Sequence, residues 1–256
     1  MPASLTISTA TLYSFLIVLA RVSGALVFTP LPGVRQGPQA VRIVLALSLT
    51  ILLYPRWPEV PREMSLWALA GWLALDAALG VWFGLMAGFL AEAFGFMAQT
   101  VGLQAGFAYA SMVDPQTQAD SGILLILAQL AAGLLFFAFG LDHELLRAFA
   151  RSLEVFPPGT WVPAEAAWRT LARLGAGMVT TGVRLALPVL ALLALADIAL
   201  ALLGRVNAQL QLLTLSFPLK MLAAMAALAA FMPLFARVLG AYAAQITAGL
   251  RAAGHP

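Results

Sequence analysis

Cysteine is absent from the 256 residues, which excludes disulfides, thiolate–zinc sites and iron–sulfur ligation. Charge is scarce as well: Asp, Glu, Lys and Arg make up 10% of the chain, against about 25% in an ordinary soluble domain. With 62% hydrophobic residues, too few polar side chains remain to cover a folded soluble body. Lysine is represented by Lys220 alone, and no Lys or Arg occurs from Glu63 to Leu146. The net charge of +3 is dispersed, without the basic cluster of a nucleic-acid surface, so nucleic acid is not an expected partner. Nucleophile elbows, P-loops, Gly-rich dinucleotide turns and zinc-protease motifs are missing too. The chain reads as a membrane protein surrounded by lipid, with no catalytic residues, cofactor or metal.

What is present is apolar and arranged in runs. Six segments stand out: Ala10–Thr29, Val41–Tyr54, Trp67–Phe96, Ile123–Leu141, Gly175–Leu203 and Leu210–Phe235. Several reach the roughly 20 residues needed to cross a bilayer. They are continuous and rich in Leu and Ala, without the alternation of barrel strands. The expectation is an all-α, multi-pass helical membrane protein of about six long helices, forming a single domain over residues 1–256. The second segment is short for a span, and Pro188 is expected to interrupt the fifth. No basic stretch precedes the first run, which reads as a retained helix and not a signal peptide.

Basic residues in the connections set the expected orientation. With both ends cytoplasmic, the inner side holds Arg56, Arg62, Arg147, Arg151, Arg169, Arg173, Arg237 and Arg251; the outer side holds Arg35, Arg42 and Arg205. This places Gly102–Gly122, a long polar interruption near the middle of the chain, outside.

Three sets of residues stand out. Gly80, Gly84 and Gly88 recur every fourth residue and Glu92 continues the row, a pattern that lets another helix backbone come close; glycine is also simply common in membrane helices. Arg21, Asp76, Arg184, Asp197 and Lys220 are ionisable groups inside apolar runs. Each is costly in hydrocarbon, so each is expected to face protein, water or an opposite charge, either as structural pairs or as a proton relay. In a straight helix Arg184 and Asp197 lie about 220° apart and do not pair with each other. Asp142, His143 and Glu144 have metal-ligand side chains, but adjacent residues cannot converge on one ion from a helix, so a polar helix end is the reading there.

Several stretches together resemble the FliR family of bacterial flagellar export proteins. They are Arg42–Leu49 after a Pro/Gly turn, Gly102–Pro115 with its Gln104 and Gly106 before Val113, Asp114 and Pro115, and Gly140–Arg147 followed by Phe156 and Pro157. Leu187 and Pro188, Asp197, Gly204 and Arg205, Gln209 and Phe217–Lys220 complete the set. Ala208, Gln211 and Ser216 depart from the family's usual residues. The resemblance implies a structural subunit of the type III export gate, with a FliP-like amino-terminal and a FliQ-like carboxy-terminal part, in a hetero-oligomeric helical assembly. It implies FliP, FliQ, FlhB and FlhA as partners, unfolded flagellar proteins as substrates, and the inner membrane and flagellar basal body as location. An injectisome counterpart is the close relative. It further implies that Gly106–Gly122 lies in the channel lumen as a plug, with Phe107, Tyr109 and Met112 as its larger apolar side chains. From the residues alone, a solvent-exposed loop ending at Pro115 stays open. A rival class is a secondary transporter using Arg184, Asp197 and a break at Pro188 as its midplane site.

Overall fold

The structure, a computed structural model, describes residues 8–31, 38–107, 123–161, 165–206 and 212–253. All regular structure among the described residues is helical. The long elements are α1 (Thr9–Leu26), α2 (Gln39–Leu52), α3 (Leu66–Ala105), α4 (Ile123–Ala138), α5 (Leu141–Val155), α6 (Glu165–Val206), α7 (Leu212–Ala230) and α8 (Met232–Ala253). A short 3-10 turn, Tyr54–Arg56, follows α2.

Local chemistry explains some helix ends. The Ser65 hydroxyl accepts the Ala68 N–H at 3.2 Å, capping one of the free donors at the start of α3. Gly140, at φ 68°, turns the chain between α4 and α5, and Asp142 and Glu144 in the first turn of α5 complement the positive end of its dipole. The helix pairs α4–α5 and α7–α8 bend at their breaks by 66° and 60°. Among the described residues three helices, α1, α3 and α6, are long and apolar enough to cross a membrane, or up to five spans if each bent pair is one.

The expected segments differ from the observed helices in instructive ways. The third was expected to end near Phe96, but α3 continues to Ala105, so the first residues of the polar stretch are helical. At 40 residues it is about 60 Å long, twice the apolar thickness of a bilayer. The break expected at Pro188 is absent: α6 runs through it from Glu165 to Val206. The sixth segment is two helices, and the second of them, α8, runs on past Phe235 to Ala253 and buries Leu239, Tyr242, Ile246 and Leu250.

The chain divides into two compact units. Residues 1–89, 136–174 and 244–256 form one, and residues 90–135 and 175–243 the other. In the first unit Val18, Val22 and Leu26 of α1 pack with Ala46, Leu53 and Leu153. Phe83 meets Phe149 with ring centroids 5.4 Å apart. The second unit joins Phe94 to Phe235 at 6.4 Å and sets Gly182 against Phe96 and the Ala93 carbonyl.

Candidate functional site

Two polar centres lie in otherwise apolar surroundings, one in each unit. In the first, Arg21 of α1 reaches Asp76 of α3. Its Nε donates to the Asp76 carboxylate at 2.7 Å, and one terminal nitrogen forms an ion pair with the same oxygen. The other terminal nitrogen donates to the Ser152 hydroxyl at 3.1 Å, and the paired one also donates to the Phe156 carbonyl at 3.1 Å. The side chains are 1% and 2% exposed. A charge pair this deep persists only when its remaining hydrogen-bonding groups are satisfied, and Ser152 and Phe156 supply that.

The glycine row lies beside this pair. A Cβ added at Gly80 would strike the Arg21 carbonyl, and one at Gly84 the Ala25 carbonyl. At Gly88 it would lie 2.7 Å from the Phe28 carbonyl, and Gly24 of α1 faces Ala77 in the same manner. These glycines therefore sit against a helix of this same chain, α1, and allow the close approach that carries Arg21 to Asp76. Glu92, next in the row, is exposed.

The second centre is built at the carboxy end of α3. Gln104 donates from its side-chain amide to Asp197 of α6 at 3.0 Å. Lys220 of α7 reaches the two oxygens of that carboxylate at 2.9 and 3.2 Å. Asp197 is 42% exposed and Lys220 13%, so this cluster is open to its surroundings. Two residues beyond Gln104, Gly106 ends α3 with φ 85°, the left-handed conformation that favours glycine at a helix end. A Cβ there would meet the Phe217 ring at 2.5 Å. Phe217 and Lys220, on one turn of α7, thus hold the same place from two sides.

Of the residues expected to matter, Arg21 pairs with Asp76, Asp197 pairs with Lys220, and Arg184 stands exposed on α6. Phe107 is half-buried. Tyr109, Met112, Val113, Asp114, Pro115 and Gly122 lie outside the described residues. Gln104 and Phe217 emerge as partners that spacing alone does not single out. The signal was their presence in the two motifs, 113 positions apart in the sequence, which carry the family resemblance. Among the described residues no three metal-ligating side chains cluster; His143 bonds its neighbour Asp142 at 3.0 Å. A midplane transporter site built on a broken α6 loses its structural basis, because α6 is continuous at Pro188 and Asp197 faces Lys220.

Fold and site together define an integral membrane protein whose helices are fastened by internal ion pairs and glycine contacts. Bacterial export proteins, family 1, match it over residues 12–246, and the chain belongs to that family. It is 31% identical to the flagellar biosynthetic protein FliR of Escherichia coli (strain K12) over 85% of this chain and 84% of the relative. The FliR proteins of Pectobacterium carotovorum subsp. carotovorum and Bacillus subtilis (strain 168) are 29% and 27% identical. They are matched over 87% and 81% of this chain, and over 84% and 81% of their own lengths.

Proposed function

We propose that the chain is a structural, channel-forming subunit of the flagellar type III protein-export gate, through which unfolded flagellar proteins cross the bacterial inner membrane. The observation that carries this reading is the 31% identity to the FliR protein of Escherichia coli over 85% of the chain, joined to the family match over residues 12–246. The FliR relatives are flagellar proteins by name, which favours the flagellum over an injectisome. The subunit performs no reaction of its own; it assembles with FliP and FliQ, meets FlhB and FlhA, and leaves the driving energy to other components. Ile43, Val44, Ile51 and Leu52 of α2, all more than half exposed, suit burial against lipid or neighbouring subunits.

In this reading Gly106–Gly122 is the channel plug, and Gln104, Asp197, Phe217 and Lys220 fix the point from which it departs. Aromatic and methionine side chains suit closure of an irregular gap. A tagged copy is expected to co-purify with FliP and FliQ, and to restore filament-protein secretion to a strain lacking its FliR. Normal secretion without the gene, or failure to recover either partner, would overturn subunit membership. Removing Ala108–Ala119 is expected to raise ion leakage through assembled gates; an unchanged leak would refute the plug and leave membership standing.

A further inference from the structure

The chain that leaves α5 is tied to the sealed pair by its backbone. The Phe156 carbonyl accepts from Arg21 at 3.1 Å, and the Gly159 N–H donates to the Asp76 carboxylate. Between these two residues the chain turns. The Thr160 N–H and hydroxyl both donate to the Pro157 carbonyl, at 3.1 and 2.7 Å. Pro158 followed by Gly159 at φ 75° is the pattern of a type II turn, in which that position favours glycine. A Cβ on Gly159 would strike the indole ring of Trp72, which stands one helical turn before Asp76 on α3. The turn is thus seated on a flat ring, with Pro158 buried and with Pro157 and Thr160 facing outward.

The start of α6 is held lightly by comparison. From Glu165 to Arg173 no residue is buried, and Glu165 and Arg169 pair with each other in the open. The first buried side chain of this helix is Leu174. It lies 3.3 Å, and Thr170 3.7 Å, from the place a Cβ on Gly249 of α8 would take. The end of α8 is fastened in turn by Arg251, which grips Glu144 of α5 through two nitrogens at 2.8 and 3.0 Å. A stretch with so few buried apolar contacts opens at a lower free energy than the core it lies on.

We propose that Phe156–Thr160 is a clasp that opens as a unit of its own, and that its opening frees Glu165–Leu174 while α1, α3 and α5 stay joined. Opening takes two backbone partners from the pair, the Phe156 carbonyl and the Gly159 N–H. The contact between Arg21 and Asp76 and the bond from Arg21 to Ser152 remain. A backbone bond exchanged for one to water changes the free energy little, so the clasp is a reversible fastening. The charges left short of two bonds draw it back. The start of α6 can then yield on the microsecond and slower scale of local opening, without loss of register at Gly80 and Gly84.

Two readouts on the full-length chain, extracted in mild detergent with the subunits that accompany it, test the clasp. Hydrogen exchange over residues 156–161 reports the turn itself. Because the chain has no native cysteine, the rate at which a water-soluble maleimide labels Leu174→Cys reports the start of α6, and Val18→Cys reports the core beneath. Gly159→Ala, which strains the turn and pushes it off Trp72, is expected to raise both exchange at 156–161 and labelling at 174 by about tenfold. Labelling at residue 18, fully buried in α1, should not change. Trp72→Ala removes the seat and keeps the glycine, so it should give the same pattern at smaller size, and it carries the test if Gly159→Ala does not accumulate. Labelling at 18 that rises in step with 174 would make the turn a keystone of the whole unit and overturn the clasp, as would failure of both variants to accumulate. Faster exchange at 156–161 with residue 174 unchanged would overturn the release of α6. Exchange unchanged in both variants would mean that the turn is no fastening at all.

Discussion

The two ion pairs solve the same problem in opposite ways. Arg21 and Asp76 are sealed, 1% and 2% exposed, and their bonds are made inside one unit, to each other, Ser152, Phe156 and the Gly159 backbone. Asp197 and Lys220 are open, at 42% and 13% exposed, with one amide, Gln104, as the third member. A sealed pair has no access to a ligand or to water, so its effect is to specify which helices meet and in what register. An open pair at a helix end, beside a left-handed glycine, is placed where chain direction changes and where neighbours can reach it. Charge inside an apolar helix is therefore not one signal but two, separated by exposure and by what lies next in the sequence.

The largest expected effect comes from breaking the sealed pair. Asp76→Ala leaves the Arg21 guanidinium buried without a counter-charge, and removing one partner of such a pair costs about 3–5 kcal/mol. Loss of accumulated protein in the membrane is expected, with substantial recovery in Arg21→Met/Asp76→Leu, where no charge remains to be solvated. A single mutant that accumulates normally would show that the pair does not hold α1 to α3. Next in size is Gly84→Leu, which forces a side chain into the Ala25 carbonyl. Overpacking of a close contact costs roughly 1–3 kcal/mol or more, and here it pries apart the two helices that carry the pair. A fall in thermal stability in detergent is expected, larger than for Gly71→Leu, since a Cβ at Gly71 meets nothing within 4 Å. Equal effects at the two glycines would remove close approach as the reason for the row.

Much of this was legible in the sequence, for identifiable reasons. Runs such as those in α1 and α3 declare themselves because a long apolar segment has few stable places outside a bilayer. The glycine row shows in its period of four, but its partner does not, because Gly80 meets Arg21 across 59 positions of sequence. The same holds for Arg21 and Asp76, 55 residues apart. Helix ends are misplaced where polarity is taken as a stop: Gln104 is polar, yet it remains in α3 because Asp197 receives its amide. Pro188 misleads in the other direction. It removes one backbone hydrogen bond, but unwinding α6 in apolar surroundings would leave several backbone groups unsatisfied, so the helix continues. Of the central segment, the departure point at Gly106 is described, and the residues from Ala108 to Gly122 are not.

The open centre yields smaller but more discriminating effects. Gly106→Ala places a side chain at φ 85°, where the left-handed conformation costs about 1–2 kcal/mol, and pushes against the Phe217 ring. A modest loss of thermal stability is expected, relieved in part by Phe217→Leu, which shortens the opposing side chain. No relief would mean that the strain is in the backbone alone.

Asp197→Asn is smaller still. The amide oxygen still accepts from Lys220, and with Asp197 42% exposed the lost attraction is screened to about 1 kcal/mol or less. Accumulation should scarcely change, which is what separates this pair from Arg21 and Asp76. Secretion is the telling readout. If the cluster fixes where the central segment leaves α3, Asp197→Asn lowers secretion of flagellar proteins more than it lowers the amount of protein. The exchange Asp197→Lys with Lys220→Asp should then recover part of the loss, because it restores attraction between α6 and α7 with the signs reversed. Secretion that follows protein amount in all three variants would reduce the open pair to the same role as the sealed one, and the contrast between the two centres would collapse into a difference of solvent exposure.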